Sequence, residues 1–298
     1  MRQRSLLGIA GGLILSAGLE GSAGPTPPPG YVSEFIWEMQ DPLFGGFSAL
    51  AVSDDGARFT ALSDRGAFTE GVFTRDRKGA ISAISAGPLS RLRGAGTAAL
   101  PAARADSEGI AIGADGSTYI SFEGVARVLR YPRLNGPAEA MPIAKEFARM
   151  KINAALEALA IDAEGTLFTL PERSGAADRP FPVFRFRSGT WDSLLAIPRH
   201  GAFLPVAADF GPDGRFYLLE RSFRGLPGFA NRLRRFEYSP KGFSGGKTLF
   251  ETPSGLHDNL EGLSVWRDAE NRLRATMISD DNFNPLQNTE IVEYLLPD

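Results

Sequence analysis

The sequence predicts an all-β protein, a β-propeller built from four-stranded antiparallel blades. A hairpin pattern recurs along the chain: an apolar run, an acidic-Gly turn, and a second run rich in β-branched and aromatic residues. The turn glycines Gly56, Gly116, Gly165 and Gly214 are 60, 49 and 49 residues apart. Repeats of about 40 to 50 residues with four short strands each are typical of propeller blades. Helical periodicity is weak throughout, which also favours an all-β fold.

Five recognisable units follow one another, and the span from Gly66 to Asp106 leaves room for a sixth. Their hairpins cover residues 47–66, 106–124, 157–172, 204–221 and 258–284. Outer strands are predicted at 72–74, 80–84, 125–131, 142–147, 183–186, 194–197 and 289–295. The strand-like segment 32–39 has no hairpin partner beside it, so we expect it to pair into the last blade and close the ring.

A two-residue turn in each hairpin would place particular side chains directly opposite one another. The predicted pairs are Glu108 with Glu123, Glu157 with Glu172, and Ser48 with Ser63. Facing carboxylates repel each other on a sheet. We therefore expect a compensating group at the glutamate pairs, which is a bound cation, an Arg or Lys side chain, or a proton held with a raised pKa.

The first 23 residues have the three parts of a secretory signal peptide: a basic start, an apolar stretch over 6–19 and small residues at 21–23. The apolar stretch is shorter than the about 20 residues of a transmembrane helix; a retained membrane anchor is the alternative. We divide the chain into a signal peptide (1–23), a Pro-rich leader (24–30) and a single propeller domain (31–298). We expect a secreted or periplasmic protein without stable membrane insertion after cleavage.

The composition and net charge of the chain argue against several classes of binding partner and of site. The 298 residues are 43% hydrophobic and 22% charged, which is ordinary for a globular protein. The net charge is −3, and cleavage makes it slightly more negative, so we expect no nucleic-acid binding. The chain has no cysteine and only two histidines, which excludes disulfides and thiol catalysis and argues against His-rich zinc sites. We expect a monomer.

In a propeller, the start of each innermost strand and the end of the second strand lie at the same mouth of the central channel. This places eight acidic residues around one opening: Asp64, Glu108, Glu123, Glu157, Glu172, Glu220, Glu261 and Asp280. Carboxylates without cysteine suit hard cations, and calcium is the natural choice in an exported protein. The predicted calcium ligands are Asp64, Glu108, Glu157, Glu261 and Asp280.

Three arginines directly follow acidic residues at this mouth: Arg65, Arg173 and Arg221. A guanidinium binds phosphate or carboxylate in a bidentate manner, so we predict that the three hold a small anionic substrate. The alternative is structural: each arginine pairs with its neighbouring acid and holds the blades together.

Two further features of the sequence are candidates for catalytic groups. His257 precedes Asp258 in the fifth unit and is predicted either to transfer protons or to be an exposed loop residue without a role. Residues 242–246 match the G-x-S-x-G pattern of serine hydrolases, but the required preceding strand and following helix are missing from the sequence pattern. We interpret that segment as a flexible turn.

Several segments together resemble a known family: Ser63 to Gly66, Asp106 to Ala111, Asn153 to Glu157, Leu219 to Arg221, Glu261 to Leu263 and Ser279 to Asn282. The chain resembles the phytase-like family described as "esterase-like activity of phytase" over nearly all of its mature length. The resemblance implies an exported bacterial propeller that hydrolyses phosphoesters. Val206 departs from the pattern, because it stands where other units carry Glu108 and Glu157, and this leaves the number of metal ions open.

Our first hypothesis is a metal-dependent phosphoester hydrolase. In it, Glu108, Glu157 and Glu261 hold calcium, the three arginines bind the phosphate, and Glu123 or Glu172 acts as general base. The second is a calcium-dependent lactonase or carboxylesterase, which needs few arginines. The third is a non-enzymatic propeller that calcium stabilises and whose mouth binds a partner or a glycan.

Overall fold

Antiparallel strands dominate the structure, a computed structural model that describes residues 25–150 and 155–298. The strands in these residues are, in chain order, β1 (Tyr31–Ile36), β2 (Phe47–Val52), β3 (Arg58–Ser63), β4 (Ala67–Arg75), β5 (Ile81–Ala86), β6 (Ser90–Arg91), β7 (Ser107–Ile112), β8 (Thr118–Phe122), β9 (Arg127–Tyr131), β10 (Glu139–Ala140), β11 (Leu156–Ile161), β12 (Leu167–Pro171), β13 (Phe181–Arg187), β14 (Thr190–Ile197), β15 (Leu204–Phe210), β16 (Phe216–Phe223), β17 (Phe229–Ser239), β18 (Gly242–Glu251), β19 (Asn259–Arg267), β20 (Leu273–Asp280) and β21 (Glu290–Leu295). Two short 3₁₀ helices cover Ala102–Arg104 and Phe147–Arg149.

Within the described residues these strands form five four-stranded blades around a central channel, and the five innermost strands pack side by side in a closed ring. Blade 1 is β2 to β5 with β6 added beside β4; blades 2, 3 and 4 are β7 to β10, β11 to β14 and β15 to β18. Blade 5 is β19, β20, β21 and β1. The predicted all-β propeller of five units is confirmed. The span that left room for a sixth unit supplies the outer strands of blade 1.

The first strand closes the ring, as the sequence predicted. β1 pairs antiparallel with β21, with Tyr31 opposite Tyr294 and Ile36 opposite Glu290. The last blade therefore contains strands from both ends of the domain. Because neither end can leave without breaking this sheet, the closure holds the ring as one unit.

The hydrophobic core is divided among the junctions between blades. The described residues contain five clusters of buried apolar side chains, and each cluster joins two neighbouring blades. Phe168 and Phe216, for example, join blades 3 and 4, and both are fully buried. Each such side chain contributes roughly 1.5–3 kcal/mol by leaving water. The apolar side chains packed between the blades thus stabilise the ring, and the channel mouth remains available to polar groups.

Two local predictions were wrong. Segment 142–147 is not a strand: the outer strand of blade 2 is the two-residue β10, and Phe147 is buried in a 3₁₀ helix. Pro142 has no N–H to donate to a sheet, and its carbonyl instead accepts the Trp191 indole N–H at 2.8 Å. Segment 242–246 is not a flexible turn but the beginning of β18.

Parts of the sequence-based division lie outside the described residues. These are the predicted signal peptide (1–23), Gly24 at the start of the leader, and Asn153 of the third unit. The described part of the leader, 25–30, contains neither helix nor strand, and its last carbonyl, of Gly30, accepts the Leu295 N–H at 2.7 Å. No helix in residues 25–150 and 155–298 has the length and hydropathy needed to cross a membrane.

Candidate functional site

All five innermost strands carry a β-bulge close to the channel mouth. In each, the register against the second strand shifts by one residue at the same place. The bulged residues are Ser48, Glu108, Glu157, Val206 and Glu261. A bulge turns a side chain away from the regular alternation of a strand. The three glutamates therefore occupy equivalent positions around one ring.

The bulges correct the predicted pairings. The second hairpin has a three-residue loop, Ala114-Asp115-Gly116, instead of a two-residue turn, since Gly113 N–H donates to the Ser117 carbonyl at 2.9 Å. The bulge then shifts the register again. As a result Glu123 N–H bonds to the Asp106 carbonyl at 2.9 Å. Asp106, and not Glu108, lies opposite Glu123.

The same correction applies to the other hairpins. Glu172 bonds through its N–H to the Ala155 carbonyl at 3.3 Å, so Glu157 is not its direct partner. Ser63 pairs with Phe47, and Ser48 is bulged. The expected crowding of carboxylates nevertheless occurs, because the bulged glutamates approach one another across the ring of blades.

Asp106, Glu108 and Glu123 form the tightest acidic group of the mouth. One carboxylate oxygen from each lies within 4.8 Å of the others. Asp106 was missed as a site residue in the sequence. Its position at the open end of the second hairpin, two residues before Glu108, could have identified it.

Burial and like charges raise the pKa of several mouth carboxyls. Burial raises the pKa of Glu108 well above its ordinary value, and Glu157 and Glu261 add to the effect. Burial raises that of Glu157 likewise, with Glu123 and Glu261 adding to it. The pKa of Asp64 rises to about 6, again mainly through burial. The sequence predicted such a clustering of like charges, which needs a compensating cation, basic side chain or bound proton.

Asp280 completes the carboxylate ring from blade 5. It is buried, and its pKa is raised by burial and by the charges of Glu261 and Asp64. Its Oδ1 accepts the Asn282 N–H at 2.7 Å. Besides burial, the charge of Glu261 raises the pKa of the other four predicted calcium ligands, which are Asp64, Glu108, Glu157 and Asp280.

Arg221 lies among these carboxylates. Its guanidinium donates to Glu261 and to the side-chain oxygen of Asn259, and it lies 3.8 Å from Glu172. Its side chain is 21% exposed. Arg221 is therefore a partial counter-charge within the ring and can also be reached from the mouth.

Arg65 lies on the other side of the mouth, against an aromatic ring. Its Cζ is 3.2 Å from the centroid of Phe283. Phe283 and its neighbour Asn282 both have a φ of +49°, which asparagine adopts readily but which is strained for phenylalanine. Asp281 fixes this loop by accepting the N–H groups of Gly46 and Phe283, each at 2.9 Å. The loop holds Arg65 at the edge of the acidic ring.

Glycine is required where this loop meets blade 1. Gly46 has a φ of +63°, and a Cβ there would lie 2.3 Å from the Phe283 ring and 2.5 Å from Asp64 Oδ1. Only glycine allows the Phe283 loop and Asp64 to approach this closely.

Arg173 occupies the rim. It donates to Glu172 at 3.0 Å, and its side chain is 63% exposed while that of Glu172 is buried. It lines a cavity of about 650 Å³ together with Arg149 and Arg199. Arg173 is thus available to an anion that approaches from solvent.

Two residues lie apart from the ring. His257 is buried, so the alternative of an exposed loop histidine is wrong; its ring nitrogens bond to Glu34 and Tyr294 and to no mouth carboxylate. Its catalytic role stays a prediction. Glu220 is fully buried and paired with Arg232 and Arg234, so it does not line the mouth as predicted and instead stabilises blade 4.

The donor set of the mouth fits a hard cation. The facing side chains offer carboxylate oxygens, and burial together with the charge of Glu261 raises the pKa values of Glu108, Glu157 and Asp280. Oxygen-only coordination is what calcium prefers, whereas imidazole and thiolate favour other metals. Asp106 and Glu108 would hold such an ion at blade 2, with Glu123, Glu157 and Glu261 beside them.

Fold and site together define a five-bladed propeller with a carboxylate-lined mouth. The family model described as "Phytase-like: Esterase-like activity of phytase" matches residues 42–283, and the chain belongs to that family. The family predicted from the sequence is confirmed. Among curated proteins, no sequence matches this chain.

Several solved structures are similar in shape. One is a protein of unknown function from Dyadobacter fermentans, with a TM-score of 0.48 and 12% identity, covering 89% of this chain and 87% of that one. Another is virginiamycin B lyase from Staphylococcus aureus, with a TM-score of 0.43, 14% identity and coverage of 89% and 74%. A third is a gluconolactonase from Xanthomonas campestris, with a TM-score of 0.41, 15% identity and coverage of 80% and 69%. At these identities and TM-scores the similarities do not bear on activity.

Proposed function

We propose that this protein is an exported, metal-dependent hydrolase that cleaves phosphoesters at the acidic channel mouth. The observation that carries the proposal is the convergence of carboxylates on one opening, with Arg65 and Arg221 at its edge and within it. Membership of the phytase-like family supports the reaction class.

Calcium is the proposed cofactor, held by Asp64, Glu108, Glu157, Glu261 and Asp280 together with Asp106. When bound, the ion would polarise a phosphoryl oxygen and acidify a water molecule. It would also neutralise part of the charge that now raises the pKa of Glu108 and Glu157. Metal binding and ionisation of the ring are therefore coupled.

Glu123 is the proposed general base, with Glu172 as the second candidate. Burial and the charge of Asp106 raise the pKa of Glu123. A carboxylate with a raised pKa accepts a proton from water more readily than an ordinary one. Glu172 is buried between Arg173 and Arg221, which keeps its charge compensated.

The arginines are proposed to bind the substrate anion. Arg65 is exposed and Arg173 lies at the rim, so both can meet a phosphate from solvent. Arg221 reaches the phosphate only if its bond to Glu261 is exchanged, which calcium on Glu261 would favour. Arg65 and Arg173 would therefore bind the phosphate as it enters, and Arg221 would stabilise its charge deeper in the mouth.

The experiment compares a phosphomonoester, a carboxylic ester and a lactone, all as chromogenic or pH-monitored substrates, with the mature protein in calcium. We expect phosphoester cleavage that Glu108→Gln abolishes and that Arg173→Gln weakens through KM. Arg130→Gln is the control, because Arg130 pairs with Asp115 and Glu139 beside the hairpin turn, away from the mouth. Cleavage of only the lactone or carboxylic ester would replace the proposal with the second hypothesis. Calcium binding without any cleavage would favour the binding propeller.

The cellular location and the oligomeric state form part of this proposal. We propose that the mature chain acts as a monomer in the periplasm or outside the cell, on a small phosphorylated substrate and not on nucleic acid. Cell fractionation of the full-length chain and size-exclusion chromatography of residues 24–298 test the two points.

A further inference from the structure

A second group of potential metal ligands lies outside the channel mouth. Glu34, His257 and Glu290 each offer one ligand atom, and these atoms lie within 4.8 Å of one another. His257 and Glu290 are 3% and 7% exposed. The three come from different elements: Glu34 from β1, His257 from the loop before β19, and Glu290 from β21.

We propose that Glu34, His257 and Glu290 form a site for a borderline divalent transition metal, for which Zn²⁺ is the probe. One imidazole and two carboxylates suit such an ion, whereas the oxygen-only mouth suits calcium. This site does not depend on the proposed hydrolase activity. It would stay in place if the mouth proved to be only a binding surface.

The His257 ring is held in a fixed orientation. Its Nδ1 lies 2.9 Å from Glu34 Oε2 and its Nε2 lies 2.7 Å from the Tyr294 hydroxyl. Tyr31 stacks on the ring, with centroids 6.1 Å apart. Metal-binding histidines typically donate their second ring N–H to an oxygen, which sets the tautomer. Tyr294 can accept the Nε2–H, leaving the lone pair of Nδ1 for the ion.

The two carboxylates differ in how freely they can move toward an ion. Ligand atoms of a tetrahedral zinc lie about 3.4 Å apart, so a modest rotation of the glutamates is needed. Glu34 can supply it, because its side chain is 30% exposed. Glu290 is anchored by accepting the Asp258 N–H at 3.0 Å on Oε2.

An access route leads to the site. A cleft of about 610 Å³ is lined by His257, Asp258 and Glu290, and its rim carries Leu226 and Leu286, both exposed. Three protein ligands would leave one position of a tetrahedral ion facing this cleft. That position can take water or a small ligand from solvent.

The proposal is tested by calorimetric titration of zinc into the mature protein. The channel mouth is first saturated with calcium. We expect one zinc ion per chain and a rise in the thermal midpoint, because the ion would join β1 to the rest of blade 5. His257→Asn and Glu290→Gln should each weaken zinc binding by about 100-fold or more. Glu108→Gln is the matched control and should retain zinc while losing calcium.

Glu34→Gln keeps the test decisive if a buried variant fails to fold, because Glu34 lies on the surface side of the cluster. It should fold, melt cooperatively and bind zinc more weakly. X-ray absorption of the zinc form should show a single imidazole among oxygen ligands. The proposal is overturned if the wild type binds no zinc, or if Glu34→Gln and Glu290→Gln bind it as tightly as the wild type. The cluster is then a hydrogen-bonded clamp on β1.

Discussion

Arg75 forms a bidentate ion pair with Glu293, with Nη1–Oε2 and Nη2–Oε1 distances of 2.6 and 2.8 Å. Arg75 belongs to blade 1 and Glu293 to blade 5, so the pair spans the junction at which the ring closes. The Glu293 carboxylate is fully buried and also accepts from Arg274 and Thr276. Sheet pairing of β1 and this ion pair thus secure the same blade.

Replacing Arg75 should weaken ring closure. Arg75→Met leaves a buried carboxylate with fewer donors, and we expect the free energy of unfolding to fall by about 3 kcal/mol, measured by urea denaturation. Arg130→Met is the control, because that ion pair is exposed; it should change stability by less than about 1 kcal/mol. Equal effects of both substitutions would show that the buried pair adds nothing to closure.

The glycine after the bulge in blade 5 should tolerate no side chain. A Cβ on Gly262 would lie 2.5 Å from Ile278 Cγ2 and 2.7 Å from the backbone nitrogen of Leu50 in blade 1. We expect Gly262→Ala to destabilise the protein by about 1–3 kcal/mol in thermal or urea unfolding. Gly96→Ala is the control, since nothing lies within 4 Å of a Cβ there. If the two variants are equally stable, the blades can separate at this junction without cost.

Neutralising a mouth glutamate should have opposite effects with and without calcium. Without calcium, Glu108→Gln and Glu157→Gln remove like charges whose pKa burial already raises, so the thermal midpoint should rise. With calcium at about 100 times its Kd, the wild type should gain about 2.7 kcal/mol and the variants less. Calorimetric scans in chelator and in calcium check both halves. Variants that lose stability in chelator would indicate that the glutamates are structural.

Asp209 should make stability depend on pH. Its Oδ2 accepts the Val265 N–H at 2.7 Å, and burial raises its pKa to about 7 from an ordinary value of 3.8. The folded state therefore binds more protons than the unfolded state between these values, and stability falls as pH rises from about 4 to about 7. In Asp209→Asn, which keeps the acceptor, this part of the slope should vanish. Urea denaturation of both proteins across that range measures it; parallel curves would contradict the assignment.

The architecture could be predicted because turn glycines and strand alternation are local signals. Gly56, Gly116, Gly165 and Gly214 all have φ between +68° and +80°, so each fixes a hairpin in sequence and in structure. The outer strand of blade 2 was wrongly predicted at 142–147, because the strand that is present, the two-residue β10, has no alternation to detect.

Which acidic residues share the channel mouth could be predicted better than how they pair. Asp64, Glu108, Glu157, Glu261 and Asp280 were predicted to lie at one mouth because strand direction decides which end of a blade faces it, and their role as calcium ligands stays a prediction. The Glu108–Glu123 pairing was wrong because the hairpin has a three-residue loop and because the bulge at Glu108 shifts the register once more, and neither is visible in the strand alternation. The partners of His257 could not be predicted, because its contact with Glu34 joins residues 223 positions apart in the chain.

The five bulges affect how the sequence of this ring can change during evolution. Each bulged side chain stands outside the ladder of hydrogen bonds, so the same register persists whether the position holds serine, glutamate or valine, as at Ser48, Glu157 and Val206. Chemistry at the mouth can therefore drift at one blade while the remaining four keep the ring assembled.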